Sequence, residues 1–260
     1  MTFPPLLRES WSMTVRDLRN LVRQPWWIAI SLAQPLVYLL LYSALFRKVA
    51  EIPGFRGGSY LDFVVPGIVI MTAMFSGGWA GMGVINDLER GVIDRFLVTP
   101  VHRGAIVTGR LMQLVIVTVI QSLILIGLAL AIGADFPGGV QGVVVLVAAA
   151  AMLATAFGAL STGLALVLRQ EESVIGAVQF LLLPLMFLST VFMQRELMPG
   201  WIQTLSGFNP ADWATQAGRG AVAAHADWGA VGSHAGYLLA FALVAAWLGT
   251  RGFRSYQRSV

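Results

Sequence analysis

The sequence predicts an all-α integral membrane protein whose 260 residues form a single transmembrane domain, 1–260. Hydrophobic residues make up 57% of the chain and charged residues 12%, whereas soluble domains usually carry about 25% charged residues. Six apolar runs are each about 20 residues long, which is the length of helix that crosses the hydrocarbon core of a bilayer. Most charged residues lie between these runs, so the connections are expected to meet water and the runs to meet lipid.

Residues 1–25 precede the first run and combine basic with apolar residues. Trp11, Val15, Leu18 and Val22 recur at three- and four-residue spacing, which predicts a helix with one apolar face. A basic amphipathic helix beside a membrane span usually lies in the plane of the interface. We therefore expect an amphipathic N-terminal elbow helix on the cytoplasmic side. It serves either as a positive anchor or also as a contact for a cytoplasmic partner.

The apolar runs predict a six-span bundle over residues 26–249, followed by a cytoplasmic tail over 250–260. The spans are Trp26–Phe46, Leu61–Ile85, Leu111–Ile132, Val143–Leu168, Val174–Met193 and Ala235–Gly249. Prolines inside three of them, at positions 35, 66 and 184, are expected to kink their helices. Small residues recur every four positions in two spans, which indicates close packing within the chain or a sliding or dimer-forming surface. They are Ala73, Gly77 and Gly81 in the second span and Ala150, Ala154, Gly158 and Thr162 in the fourth.

Lysine and arginine residues predict the orientation of the bundle. With the N-terminus inside, twelve of the 17 basic residues fall on the inner side and five on the outer side. The positive-inside rule therefore favours a cytoplasmic location for both termini. The outer five are Arg47, Lys48, Arg56, Arg195 and Arg219.

The connection between spans two and three is the longest charged stretch between two apolar runs. Leu88, Val92 and Phe96 can share one face of a helix there, which leaves Glu89 to face water. Thr99-Pro100 is expected to end that helix, because the residue before a proline avoids the α region. The pattern predicts a short amphipathic helix in the cytoplasm, with an ordinary solvated loop as the alternative.

The connection between spans five and six is long and rich in aromatic residues. Trp201, Leu205 and Phe208 stand at helical spacing and are followed by an Asn209-Pro210 break. This pattern predicts two short helices, either re-entrant or lying at the outer surface. Trp201, Phe208, Asn209 and Pro210 are therefore candidates for an outer gate.

The missing residue types exclude several kinds of site. A Walker A loop needs Gly-Lys-Ser/Thr, but the single lysine, Lys48, follows an arginine, so the chain has no P-loop. The chain has no cysteine, and His102, His225 and His234 lack metal-ligand spacing, so neither a catalytic nor a metal site is expected. Basic residues are scattered along the membrane flanks rather than gathered in a patch, so no nucleic acid partner is expected.

The middles of the six spans contain no Asp, Glu, Lys, Arg or His, which ion-coupled transporters commonly place there. Gln34, Gln121 and Gln179 supply most of the remaining polarity, either as hydrogen-bonding partners between helices or as contacts for a solute. Such interiors favour an amphiphilic or apolar solute over a small ion. They also point to an energy source outside this chain.

The six spans, the amphipathic N-terminal helix and the sequence ERGVIDRFLVTPVHRGAIVTGRLM together resemble the permease subunit of an ABC-2 type ABC exporter. The resemblance is to the daunorubicin-resistance-like branch and covers essentially the whole chain. It rests on Glu89-Arg90-Gly91, Arg95-Phe96, Thr99-Pro100, Arg103 and Gly109-Arg110, and Asn209-Pro210 also fits. Phe96 departs from the pattern, since leucine is usual in the family at that position.

The resemblance implies a permease that is not an enzyme and binds no cofactor itself. Two copies of a separate ATPase subunit would bind ATP and magnesium, and a second permease copy, identical or a paralogue, would complete the exporter. The complex would lie among the lipids of a prokaryotic plasma membrane and move a hydrophobic or amphiphilic drug or lipid outward, as in multidrug or antibiotic resistance. A lipid-linked polysaccharide exporter is the alternative, and an ATP-independent channel or transporter is a more distant one.

Two sets of residues are expected to contact the ATPase. The coupling helix would supply Glu89, Arg90, Gly91, Asp94, Arg95, Phe96, Thr99, Pro100 and Arg103. The connection between spans four and five would supply a secondary contact through Arg169, Glu171 and Glu172.

Overall fold

The computed structural model describes residues 25–51, 59–90 and 103–257, and within these ranges the chain is helical with no strand. Eight α-helices are present there, and short 3-10 helices lie at Arg47–Glu51 and Arg195–Leu197. The α-helices are α1 Pro25–Leu45, α2 Tyr60–Glu89, α3 Arg103–Ala131, α4 Gly139–Leu168, α5 Glu171–Phe187, α6 Gly200–Ser206, α7 Pro210–Val222 and α8 Trp228–Gln257. The elbow helix was expected over residues 1–25, of which 1–24 lie outside the described part of the chain.

Four described helices are long and apolar enough to cross a membrane, namely α2, α3 from Gly109 onward, α4, and α8 as far as Arg251. The first and fifth expected spans correspond to α1, which has 21 residues, and α5, which has 17. The expectation of an all-helical membrane protein is confirmed. Crossing of the membrane by α1 and α5 stays a prediction.

Helix ends differ from the expected spans, most at α3, α5 and α8. Helix α3 begins at Arg103 instead of Leu111. The fifth span was expected at Val174–Met193, but α5 ends at Phe187 and a connection without helix, residues 188–194, follows it. The last span was expected at Ala235–Gly249, but α8 is 30 residues long and continues to Gln257, so most of the expected tail is helical. All three internal prolines lie within helices, as expected.

Helix α4 lies at the centre of the bundle and packs against α2, α3, α5, α7 and α8. Glycines on α2 allow this close approach, because a Cβ added at Gly77 would lie 2.5 Å from the carbonyl oxygen of Ala154. A Cβ at Gly81 would lie 2.5 Å from Ser161, whose hydroxyl accepts a hydrogen bond from the Gly81 N–H at 3.1 Å. Members of the α2 stripe therefore pack closely against α4 within the chain, at Ala154 of the α4 stripe and at the neighbouring Ser161.

Successive long helices run in opposite directions, so their connections gather at two ends of the bundle. We use the name α2–α3 end for the end of the bundle at which α2 ends and α3 begins. The turn from α4 to α5 lies at the same end. The opposite end, where α2 begins and α3 turns into α4, we name the α3–α4 end. There Ser59 caps α2, and Asp62 in its first turn accepts a hydrogen bond from the Asp135 N–H at 2.8 Å.

Candidate functional site

An ion pair joins α2 and α3 at the α2–α3 end. The Arg110 guanidinium donates to the carboxylate of Asp87 and, at 3.1 Å, to the carbonyl oxygen of Gly83. The side chains of Asp87 and Arg110 remain 27% and 22% exposed, so water reaches both charges.

The residues expected to contact the ATPase start next to this ion pair, at the end of α2. Glu89 is the last residue of α2 and Arg90 caps the helix, with its N–H donating to the carbonyl oxygen of Asn86 at 3.1 Å. Both side chains are exposed. Arg103 is the first residue of α3. The remaining candidates of this set, Gly91, Asp94, Arg95, Phe96, Thr99 and Pro100, lie outside the described residues.

The secondary contact candidates lie at the same end of the bundle, in the tight turn from α4 to α5. Arg169 has a left-handed backbone with φ of 55°, which is uncommon for a residue with a side chain. Glu171 and Glu172 follow in the first turn of α5 and are exposed. Carboxylates there complement the positive end of the helix dipole. The structure thus brings the described members of both candidate sets to one end.

The three glutamines that were candidates for solute contact have different surroundings. Gln121 on α3 is 3% exposed, donates to the Ser31 hydroxyl on α1 and accepts from the Ser76 hydroxyl on α2, each at 3.0 Å. It therefore ties three helices together. Gln34 on α1 is exposed and donates to the hydroxyl of Tyr38, and Gln179 on α5 is exposed.

The outer-gate candidates also divide into two kinds. Trp201 and Phe208 are 63% and 78% exposed, on and just beyond α6. Asn209 is buried, and its amide donates to the carbonyl oxygens of Leu185 at 2.6 Å and Leu188 at 2.9 Å. Its side-chain oxygen accepts from the Ala211 N–H and so caps α7, where Pro210 is the first residue. Asn209 thus joins the end of α5 to the start of α7.

Sequence reasoning missed a polar cluster that continues from Asn209 along α7. Asp212 is 2% exposed and accepts from the N–H and the hydroxyl of Thr190, at 2.8 and 2.5 Å. Arg219 donates to the carbonyl oxygens of Thr190 at 3.0 Å and Phe63 at 3.1 Å, and its guanidinium lies 3.7 Å from the centre of the Phe63 ring. We name Asn209, Asp212 and Arg219 the α7 clamp, because they hold the connection 188–194 against α7 and α2.

The α7 clamp explains why α5 ends early. Residues 188–193 are apolar enough to be taken for the end of a span, but their backbone groups bond to side chains instead of to helix neighbours. The hydroxyl of Tyr60 adds a bond to the Phe192 carbonyl oxygen at 2.9 Å. Irregular backbone within an apolar bundle is stable where protein supplies its hydrogen bonds. The spacing of Asp212, Gln216 and Arg219 along one face of α7 was the signal in the sequence.

The charge on Arg219 persists in this position. Burial lowers its pKa to about 10, while the nearby Asp212 carboxylate acts in the opposite direction. The guanidinium is therefore still protonated at neutral pH.

Among the described residues, no three His, Asp or Glu side chains gather in a group that could hold a metal ion.

Comparisons with known proteins bear on what these two ends do. The family profile described as ABC-2 type transporter matches residues 8–223. The daunorubicin resistance ABC transporter permease protein DrrB1 of Streptomyces coeruleorubidus is 30% identical over 189 residues, which are 71% of this chain and 64% of that permease. The chain thus spans a little under two thirds of that relative's length.

Two further relatives carry permease names. The probable doxorubicin resistance ABC transporter permease protein DrrC of Mycobacterium tuberculosis is 25% identical over 72% of this chain and 66% of its own length. The putative transport permease ycf38 of Cyanophora paradoxa is 27% identical over 85% of this chain and 76% of its own length.

Proposed function

The chain belongs to the ABC-2 type transporter family, and we propose that it is the membrane-spanning permease subunit of an exporter driven by a separate ATPase. In this proposal the partner binds ATP and magnesium, two copies of it serve two permease copies, and the solute moves outward across a prokaryotic plasma membrane. Both chain termini would be cytoplasmic. The single transmembrane domain would comprise the elbow helix, the bundle and the end of α8.

The observation that carries this proposal is the gathering of charged residues at one end of an apolar bundle. Exposed side chains of Glu89, Arg90, Glu171 and Glu172 lie at the α2–α3 end, where they are free to meet a soluble protein. The helices that bear them continue directly into the apolar bundle. A partner that pushes on this end would therefore displace α2 and α5 along their whole length.

We further propose a hydrophobic or amphiphilic solute, either a drug or a lipid. Relatives are named for resistance to daunorubicin and doxorubicin, which supports a drug as the first compound to test. One face of α1 presents Gln34, Tyr38 and Tyr42 at four-residue spacing, and the rings of Tyr38 and Tyr42 lie 5.7 Å apart. An exposed amide beside partly exposed aromatic rings suits a flat solute with polar groups.

The test is ATP-dependent uptake into inside-out membrane vesicles from cells that express this chain with or without its ATPase. The solutes are daunorubicin, a cationic dye, a fluorescent phospholipid and a lipid-linked glycan. We expect ATP-dependent uptake of the drug, the dye or the phospholipid only when both subunits are present. Uptake without the ATPase would contradict the proposal, and uptake of the glycan alone would favour the polysaccharide exporter.

The α1 face is tested in the same vesicles. Tyr38→Ala should raise the KM for the transported solute by about fivefold, which corresponds to the loss of a stacking contact worth about 1 kcal/mol. Val37→Ala, a change at the neighbouring exposed position of α1, is the matched control and should leave KM unchanged. An unchanged KM in Tyr38→Ala would remove this face from the solute path.

A further inference from the structure

The contact between Arg110 and α2 spans two turns of that helix. The guanidinium donates to the carbonyl oxygen of Gly83 and to the carboxylate of Asp87, which are four residues apart and so lie on one face of α2. A single side chain of α3 is therefore fixed to α2 at two successive turns. This contact holds the two helices at a set distance and in a set register.

Gly83 makes room for the guanidinium. A Cβ added there would lie 3.0 Å from Nη1 of Arg110, which is closer than ordinary van der Waals contact. The position is otherwise exposed. The guanidinium of Arg110 is the group that an added Cβ at Gly83 would meet within 4 Å.

We expect this ion pair to add little to the stability of the bundle. Its side chains are still 27% and 22% exposed, so we place it at the upper end of the about 0–1 kcal/mol that solvent-exposed pairs contribute. The buried Ser76–Gln121 hydrogen bond already joins α2 and α3 deeper in the bundle. A function in positioning accounts better for a contact in which one nitrogen of Arg110, Nη2, donates to two acceptors on α2.

We propose that Asp87 and Arg110 are positioning residues for energy coupling, which fix the ends of α2 and α3 so that an ATPase docked at the α2–α3 end displaces both helices together. The inference rests on the proposed function, because it requires a partner at that end. With the ion pair intact, the Ser76–Gln121 tie and the Arg110 contact make the two helices one mechanical unit. With the pair broken, ATP hydrolysis continues but moves less solute.

The measured quantity is the number of ATP molecules hydrolysed per solute molecule taken up by inside-out vesicles. The solute is the compound that the unmodified complex takes up in the screen above, beginning with daunorubicin. Asp87→Asn and Arg110→Gln should each raise this number by at least about fivefold, the lower end of usual coupling between sites. The charge-exchanged double variant Asp87→Arg with Arg110→Asp should bring it back toward the original value.

Two glycine substitutions complete the test. Gly83→Ala keeps both charges but places a Cβ 3.0 Å from Nη1, so the guanidinium has to shift slightly and the same number should rise less than in the two charge variants. Gly127→Ala on α3, where an added Cβ meets nothing within 4 Å, is the matched control and should have no effect. Thermal unfolding of each purified complex shows whether folding has changed.

Unchanged coupling in Asp87→Asn and Arg110→Gln would overturn the inference. So would a loss that appears only together with a lower unfolding temperature and that the charge exchange does not restore, since the pair would then be merely structural. If the unmodified complex takes up no solute with ATP, the proposed function itself is contradicted, and this is seen before any variant is compared.

Discussion

Aspartate and arginine meet at both ends of this bundle, in opposite surroundings. At the α2–α3 end, Asp87 and Arg110 contact each other directly and stay partly exposed to water. At the α3–α4 end, Asp212 is 2% exposed, and both it and Arg219 bond to Thr190. The first pair can open at little cost because water replaces the partner. The second arrangement supplies hydrogen bonds to buried backbone, so its loss leaves polar groups without partners.

This difference indicates that the α2–α3 end can change its conformation, whereas the connection 188–194 is held in one conformation. Residues 188–194 have no helix of their own, and the α7 clamp determines their conformation. At the α2–α3 end, the ion pair joins two helices whose backbone bonds are made within each helix. We therefore expect variants of the clamp to affect stability and variants of the α2–α3 end to affect coupling.

The largest effect is expected for Arg219→Ala. The change leaves the carbonyl oxygens of Thr190 and Phe63 without their donor and Asp212 without a nearby cation, at a cost of about 3 kcal/mol. The measurement is the thermal unfolding midpoint of the purified protein in detergent. Arg195→Ala, at an exposed arginine of the neighbouring 3-10 helix, is the control. Equal midpoints for the two variants would contradict a clamp.

Substitution of Asn209 should have the next largest effect. Asn209→Ala removes the cap of α7 and both bonds to the end of α5, for about 2 kcal/mol of stability. Asn209→Asp retains an oxygen for the Ala211 N–H but removes the amide donor. It should therefore also lower the unfolding midpoint. Full stability of Asn209→Asp would show that the bonds to Leu185 and Leu188 contribute nothing.

Asp87→Asn should change stability far less than either clamp variant. The partly exposed pair is expected to contribute no more than about 1 kcal/mol. The same unfolding measurement checks this, and its salt dependence is a second check. A midpoint as low as that of Arg219→Ala would erase the contrast between the two ends of the bundle.

The smallest effect on stability is expected at the turn from α4 to α5. Glu171→Gln combined with Glu172→Gln removes two exposed charges from the first turn of α5, where each contributes only about 0.3 kcal/mol through the helix dipole because salt screens exposed charges. We expect a small fall in the unfolding midpoint and weaker association with the ATPase, measured by co-purification. Unchanged association would remove this turn from the contact surface.

The sequence predicted the long helices because their apolar runs and proline positions are local features. All three glycine and alanine positions used here for close packing, Gly77, Gly81 and Ala154, belong to stripes that the sequence shows. The end of α5 was predicted wrongly, since residues 188–193 are apolar and only their distant partners on α7 make them non-helical. The polar face of α7 is a local pattern, but the identity of its partners, more than 20 positions away, leaves no periodic signal.

The candidate site was predictable only where its residues form a local pattern in the sequence. Glu89 and Arg90 were found from the charge pattern, and the structure places them exposed at the end of α2. The tie between Arg110 and Gly83 depends on the crossing of α2 and α3, which composition does not determine. Likewise, Gln121 could have faced a solute or other helices, and only the packing of α1, α2 and α3 shows that Ser31 and Ser76 are its partners.

The central claim, that an ATPase drives this chain at the α2–α3 end, is tested most directly by chemical cross-linking. The chain contains no cysteine, so Glu89→Cys or Glu51→Cys introduces its only thiol. Both positions are exposed, and Glu51 follows α1 at the α3–α4 end. A thiol-to-amine cross-linker should join the ATPase to the Glu89→Cys chain and not to the Glu51→Cys chain. Cross-linking at Glu51→Cys alone, or at neither position in a complex that transports solute, would contradict the account.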